Sequence, residues 1–160
     1  MTTGASEPLR PEHLATAGDL AELRNHLDLA GLPSVDIDWP GRRFFRFAAG
    51  GVTVGYSGLE GTAPDILLRS IVVAAHLRGK GYGRGILHAV EEEAAAIGCE
   101  RLHLLTETAT AFFRRHGYRD GDRQAAPESV ARSAEFTALC PSTAAYLVKK
   151  VSVGGGNFGC

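Results

Sequence analysis

Leu67-Leu68-Arg69-Ser70-Ile71-Val72-Val73-Ala74-Ala75-His76-Leu77-Arg78-Gly79-Lys80-Gly81-Tyr82-Gly83-Arg84-Gly85-Ile86-Leu87 is an apolar strand that runs into a glycine-rich basic turn and then a helix. Glycines at 79, 81, 83 and 85 let the backbone take positive φ and approach a ligand closely. Unpaired N–H groups at the start of the following helix point towards the turn, and the positive end of the helix dipole favours an anion there. Arg78, Lys80 and Arg84 add mobile positive charge. Together these features describe a cradle for a phosphorylated cofactor. The plainer alternative is a glycine-rich surface turn with solvated basic residues.

Two common phosphate loops fail on spacing. A Walker loop needs a glycine five residues before its Gly-Lys pair and a Ser or Thr after it, where this chain has Ala74 and Gly81. A dinucleotide fingerprint starting at Gly79 meets Arg84, and one starting at Gly81 meets Ile86. Arg78-x-x-Gly81-x-Gly83 does fit a pattern: it resembles the Q/R-x-x-G-x-G/A signature of the GCN5-related N-acetyltransferase (GNAT) family, whose loop holds the pyrophosphate of acetyl-coenzyme A.

With 160 residues and 44% hydrophobic content, the chain can bury one sizeable core but is short for two domains. The net charge of -1 comes from 17 basic and 18 acidic residues that are interspersed, so no long-range field is available for nucleic acid or a membrane surface. Three cysteines, Cys99, Cys140 and Cys160, are too few and scattered for a disulfide framework and lack zinc-ligand spacing. No apolar run is long enough to span a bilayer, and Met1 to Glu7 lacks the regions of a signal peptide. A reduced, cytoplasmic setting is expected. Residues 1–8 read as a flexible start, 9–153 as a single domain and 154–160 as a glycine-rich tail.

Along the chain, Leu9 to Leu14 reads as a short strand. A helix with Asp19 as N-cap then runs to Ala30, with Leu20, Leu23, Leu27 and Ala30 on one face. Ser34 to Gly41 is irregular. It is either a lid over a substrate or, the favoured reading, a segment whose Trp39 packs over the core edge while Asp36 and Asp38 are solvated. Arg43 to Ala48 and Val52 to Leu59 form a hairpin, and Ile66 to Val73 is the central strand. Strict alternation places Leu67, Arg69, Ile71 and Val73 on one face of it and Leu68, Ser70 and Val72 on the other. A charge in so apolar a strand requires a partner or a wet cleft, so Arg69 is either paired with an acidic residue or grips an anionic substrate.

The next helix runs from Gly83 to Ile97, with a stripe of Ile86, Val90, Ala94 and Ile97, Leu87 beside it, and Glu91, Glu92 and Glu93 on its solvated face. Arg101 to Thr106 is a strand parallel to the central one. Thr108 caps a further helix with Phe112 and Phe113, Ala126 to Phe136 is a helix-containing insert, and Ala144 to Val153 is the last strand.

A second anchor for the resemblance is Ala109-Thr110-Ala111-Phe112-Phe113-Arg114-Arg115-His116-Gly117-Tyr118, which is similar to the family's A-x-x-F-Y-x-x-x-G-F element. The resemblance implies an α+β, α/β/α layered fold: a mixed, mostly antiparallel sheet with flanking helices and a splayed parallel strand pair. It implies an acyltransferase that moves an acetyl group from acetyl-CoA directly to an amine in a ternary complex. Backbone groups of Ile71, Val72 and Val73 would then bind the pantetheine arm. Arg78, Gly79, Lys80, Gly81, Tyr82, Gly83 and Arg84 would hold the pyrophosphate, with Phe112 and Phe113 along the same ligand. Dimers are common in the family, which leaves a homodimer open.

Proton handling departs from the family pattern, because Phe113 replaces the usual tyrosine acid and Thr106 stands where an asparagine is common. Glu60 and Glu107 are the candidate bases, with Glu60 favoured, His103 third and a bound water as a further option. Leu67 to Ser70, Thr106 to Thr108, and the stretch from Ala125 through Glu135 to Pro141 resemble an acetyltransferase subgroup encoded with arsenic-resistance genes and labelled amino-acid N-acetyltransferases. That implies a small-molecule acceptor, an amino acid or a glutamate-like antimetabolite bearing an arsinate or phosphinate. Arg69, Ser70, Arg46 and Thr106 are the candidate substrate residues, since a guanidinium clamps such oxyanions through two hydrogen bonds. A peptide N-acetyltransferase and a non-catalytic acyl-CoA-binding module are the alternatives. No His, Cys or carboxylate spacing suggests a metal, and Cys140 reads as a small buried hydrophobe.

Overall fold

The structure is a computed structural model and describes residues 8–151. Apart from Pro8, the expected flexible start lies outside the described residues, as do the glycine-rich tail and positions 152–153 of the expected last strand.

The elements in order are β1 (Arg10–His13), α1 (Ala17–Leu29), β2 (Arg42–Ala49), β3 (Val52–Glu60), β4 (Asp65–Val73), α2 (Tyr82–Ala96), β5 (Arg101–Thr106), α3 (Thr110–Arg115), β6 (Arg119–Asp120), α4 (Glu128–Ala131) and β7 (Ala145–Lys150). The strands form one sheet in the order β1-β2-β3-β4-β5-β7-β6. Every neighbouring pair is antiparallel except β4 and β5, so the expected mixed, layered α+β architecture is present. Period-two alternation sorts the side chains of β2: Phe44 packs with Leu23 and Leu27 of α1, while Phe45 and Phe47 pack with Ile86, Leu87 and Val90 of α2.

Strict alternation fails in β4. Ser70 has φ 64°, a left-handed conformation that non-glycine residues rarely adopt, and the β3–β4 register shifts there between Tyr56 and Gly58. This bulge turns the faces over. Val72 joins the α1-side core together with Phe44, whose ring lies 5.5 Å from the Arg69 guanidinium, while Ile71 and Val73 pack on the α2 side with Leu68. Arg69 therefore does not share a face with Ile71 and Val73, as alternation alone predicts.

Several local expectations are also corrected. Thr16, not Asp19, caps α1: its Oγ1 accepts from Asp19 N at 3.0 Å and Asp19 Oδ2 accepts from Thr16 N at 3.5 Å, a reciprocal capping box. α2 starts at Tyr82 and ends at Ala96, leaving Ile97 37% exposed instead of in the buried stripe. Glu91 is not simply solvated, since its Oε2 accepts from Tyr118 Oη at 2.9 Å and from Lys149 Nζ at 3.0 Å. Thr108 does not cap α3; the Thr106 hydroxyl accepts from Ala109 N at 3.0 Å in that place. The expected helix-containing insert holds α4, followed by a π-helical turn, Glu135–Leu139. There the Ser133 hydroxyl donates to Val130 O at 2.7 Å and competes with regular helix bonding.

Candidate active site

β4 and β5 part company. Their parallel pairing covers only Asp65↔Arg101, Ile66↔Leu102 and Leu67↔His103, after which β5 stays paired with β7 and β4 continues to Val73. Past Leu67, the edge of β4 facing β5 therefore has no strand partner among the described residues; Val73 O accepts from Arg78 Nε at 3.4 Å, and the other backbone groups of that edge are open to a ligand. A cavity of about 170 Å³ fills the fork, lined by Arg69 to Ile71 on one side and by Leu104, Thr106 and Phe112 among others on the other. A second chamber of about 540 Å³ shares Leu32, Arg69, Ser70, Leu105, Thr106 and Thr108 with it and extends to Glu107, Glu135 and Cys140. Gly31 and Pro33, after α1, supply the outer wall of this chamber.

At the far end of β4 the chain makes a 3₁₀ turn, Ala75–Leu77, and enters the glycine loop. Gly79 and Gly81 have φ of 79° and 88°, and Gly81 is the N-cap of α2. The first N–H groups of this 15-residue helix therefore open onto the loop. Arg78, Lys80 and Arg84 are exposed, and among the described residues no carboxylate pairs with any of them. Free basic groups around positive-φ glycines at a helix N-terminus suit a pyrophosphate. A Cβ added at Gly83 would lie 3.7 Å from Phe112 and 3.8 Å from Val73, so the loop abuts the mouth of the fork. Phe113 lies deeper: it is 7% exposed and packs edge-on against Tyr118 at 5.5 Å while also touching the fork cavity.

Below the chamber lies a buried charge cluster. Arg69, 3% exposed, donates to both oxygens of Asp36, from Nη1 at 2.6 Å and from Nη2 at 2.7 Å. Nη1 also donates to Glu60 Oε1 at 3.0 Å, and Nε donates to Ser70 Oγ at 3.1 Å while standing 3.3 Å from Glu135 Oε2. Arg42 Nη2 lies 2.8 Å from Asp36 Oδ2 and 3.3 Å from Glu60 Oε2. Three carboxylates thus face two guanidiniums, which leaves one negative charge if all five ionise and none if one acid keeps its proton.

Asp36 and Glu135 take opposite sides of that imbalance. Burial pushes the Asp36 carboxyl up, but hydrogen bonds from Arg69 and Arg42 outweigh it and hold the group below the usual carboxylate range. Burial also pushes Glu135 up, and with Glu60 and Asp36 adding to the effect against the attraction of Arg69, it reaches about 7.

Among the residues expected from sequence, Ser70, Thr106, Arg69 and Glu107 meet at the chamber. Arg69 has every nitrogen engaged, which answers the choice left open in the sequence: it is paired, and Asp36 is the partner. Asp36 is accordingly fully buried instead of solvated, and Trp39 is 46% exposed with the Arg42 guanidinium 5.2 Å over its ring. Arg46 lies elsewhere, bonded to Glu12, Asp19 and Glu22 beneath α1, and does not line the chamber. Glu60 is shared by two guanidiniums and lines neither cavity. His103 is buried below the fork, with Nε2 2.8 Å from Asp65 Oδ1 and Nδ1 2.8 Å from Tyr146 Oη. Cys140 does line the chamber as a neutral thiol, pushed up to about 12 by burial and by Glu135. Sequence reasoning missed Asp36 and Glu135, which stand 33 residues before and 66 after Arg69. Their one signal was the unexplained charge of Arg69 itself.

The model of the acetyltransferase (GNAT) domain family matches residues 40–120. Mouse N-alpha-acetyltransferase 80 is 36% identical over 74 residues, which make up 44% of this chain and 24% of the mouse protein. Among solved structures, N-acetylglutamate synthase from Neisseria gonorrhoeae, complexed with coenzyme A and L-arginine, superposes with a TM-score of 0.70 at 17% identity. That superposition covers 89% of this chain and 33% of the synthase. Rv2747 from Mycobacterium tuberculosis, in complex with CoA, gives 0.69 at 20% identity over 89% of this chain and 98% of its own. At these identities the superpositions speak to the fold. The chain spans about a quarter of the mouse relative's length and about a third of the synthase's.

Proposed function

The chain belongs to the GNAT acetyltransferase family, and from that premise we propose that it transfers an acetyl group from acetyl-CoA to the amine of a small molecule. The observation that carries this reading is the continuous path from the glycine loop, through the fork between β4 and β5, into the chamber at Ser70 and Thr106. The N–H groups at the start of α2, with Arg78, Lys80 and Arg84, hold the pyrophosphate. The unpaired edge of β4 at Ile71 to Val73 binds the pantetheine arm, and Phe112 flanks it. The thioester then supplies the acetyl carbon at the shared mouth, where geometry contributes most of the rate. Acceptor and donor meet there together, so transfer is direct.

The acceptor we propose is an amino acid or a glutamate-like acid of the arsenic-resistance type. A chamber of about 540 Å³ suits one small molecule. Because the donors of Arg69 are already engaged by Asp36, Glu60 and Ser70, an anionic group on the acceptor binds at Ser70, Thr106 or the chamber's backbone edges and not in a free guanidinium clamp. The likeness to the mouse N-alpha-acetyltransferase supports a second reading, with the α-amine of a peptide as acceptor.

Thiol release from acetyl-CoA, measured with free amino acids, a glutamate-like phosphinic acid and short peptides with free N-termini, separates the readings. Turnover with a free amino acid or the phosphinic acid supports the first, and turnover with peptides alone supports the second. Acetyl-CoA binding without turnover of any acceptor overturns both in favour of a binding module.

A further inference from the structure

We propose that Glu135 is the group that takes the proton from the acceptor's ammonium, a catalytic role resting on the acetyl-transfer reading above. Glu135 lies outside the two GNAT-like motifs, in the later stretch that resembles the arsenic-resistance subgroup, on the π-helical turn that follows α4.

Geometry comes first. Glu135 lines the acceptor chamber and is absent from the lining of the fork, so it faces the acceptor's side of the reacting carbon. The residue is 4% exposed, yet no side-chain hydrogen bond among the described residues reaches its carboxylate; the nearest cation is Arg69 Nε, 3.3 Å from Oε2. No fully buried side-chain oxygen is left without a partner among those residues. The carboxylate oxygens therefore keep some exposed surface, on a residue that lines the chamber.

Charge comes second. The groups facing Glu135 are Arg69 from β4, Asp36 from the segment after α1, Glu60 from β3, Arg42 from β2, and Cys140 at the end of its own turn. Glu107 stands across the chamber, beyond β5. Asp36 and Glu60 are each bridged by both arginines, so they match those two cations and leave Glu135 as the surplus acid. With Glu135 ionised, the cluster has one uncompensated negative charge that attracts an ammonium. Once Glu135 has accepted a proton the cluster is neutral, which stabilises the transferred state. The value of about 7 agrees with this use, since a base works best when it titrates near ambient pH. Glu60 is less suited, because two guanidiniums bridge it and it lines neither cavity.

An N–H bond of the acceptor ammonium breaks and its proton passes to Glu135. The freed nitrogen lone pair forms a C–N bond to the thioester carbonyl carbon, and the C–S bond breaks with its electron pair leaving on sulfur. The second proton shed by the new amide nitrogen goes to the thiolate, and Glu135 later releases its proton to water.

The test compares wild type, Glu135→Gln and Glu135→Asp with the best acceptor of the panel above. Glu135→Gln is expected to lower kcat/KM for the acceptor by about 10²-fold or more and to remove the fall in rate below pH ~7, leaving the acetyl-CoA Kd unchanged within about twofold. Glu135→Asp is expected to restore part of the rate with a displaced acidic limb. Independently of turnover, carboxyl-¹³C-glutamate NMR of the CoA-bound protein should show a resonance that titrates near neutrality in wild type and is missing from Glu135→Gln. Equal rates and pH profiles for wild type and Glu135→Gln, or titration of that resonance in the usual carboxylate range, overturn the proposal. In those cases acetyl transfer itself stands. Absence of wild-type turnover across the panel removes the acetyl-transfer reading and this inference with it.

Discussion

Arg69 has a guanidinium that contributes more by organising its neighbours than by reaching for a ligand. It draws Asp36 into the protein, shares Glu60 with Arg42, and keeps Glu135 within 3.3 Å of a cation. Removing one partner of such a buried pair leaves the others uncompensated. Arg69→Ala is therefore expected to lower unfolding free energy by about 3–5 kcal/mol in urea denaturation. Arg46 provides the contrast. It also binds three carboxylates, but Glu12 and Glu22 are more than half exposed, so Arg46→Ala is expected to cost about 1 kcal/mol or less in the same assay. If the two variants lose equal stability, the organising role assigned to Arg69 is wrong.

Among the elements, the glycine loop has a conformational requirement that can be tested without knowing the acceptor. Gly81 caps α2 at φ 88°. A Cβ there strains the backbone by about 1 kcal/mol and intrudes on the proposed pyrophosphate site. Gly81→Ala is expected to weaken CoA binding about tenfold by calorimetry, equivalent to about 1.4 kcal/mol, with the thermal midpoint lowered by only about 2–4 °C. An unchanged Kd would dissociate the loop from the pyrophosphate. This loop was legible in the sequence because its features are local: glycines at fixed spacing, a basic residue either side, a strand before and a helix after. The hairpin, α1 and α2 were legible through periodicity in the same way. Ser70 was not, because a bulge is settled by register with β3 and carries no composition signal when a serine occupies it. Asp36 escaped for a related reason. Its segment has no periodicity, and an aspartate in it looks as solvated as Asp38 until the strand carrying Arg69 is placed beneath it. Glu135 sat in a stretch read as a helix-containing insert, and its interest comes only from the charges that the fold gathers around it.

At the scale of the whole molecule, the cluster makes stability depend on pH with a defined sign. Glu135 titrates at about 7 in the folded protein against an ordinary value of 4.5. Between those values the folded state binds a proton that the unfolded state has released, so stability falls as pH rises across the window, by about 3 kcal/mol at the limit. Asp36 acts the other way. Its lowered carboxyl contributes stability present above 3.8 that is lost as pH falls further. Denaturation midpoints are expected to peak on the acid side, at roughly pH 5, and to decline towards pH 8. Glu135→Gln is expected to flatten the decline while impairing transfer, so that the variant gains stability at pH 8 as it loses activity. A decline that persists in Glu135→Gln would assign it to other groups.

The fork has a mechanical consequence. Its closed end is three residue pairs long, and Asp65 is its rivet, since Oδ1 accepts from Arg101 Nε at 2.7 Å and lies 2.8 Å from His103 Nε2. The sheet is thus a book with one leaf of β1 to β4, another of β5, β7 and β6, and a narrow spine at Asp65 to Leu67. The glycine loop and the larger chamber both lie towards the fore-edge, so a small rotation at the spine is multiplied there. The width of the fork is therefore set by a carboxylate that lines neither of its cavities.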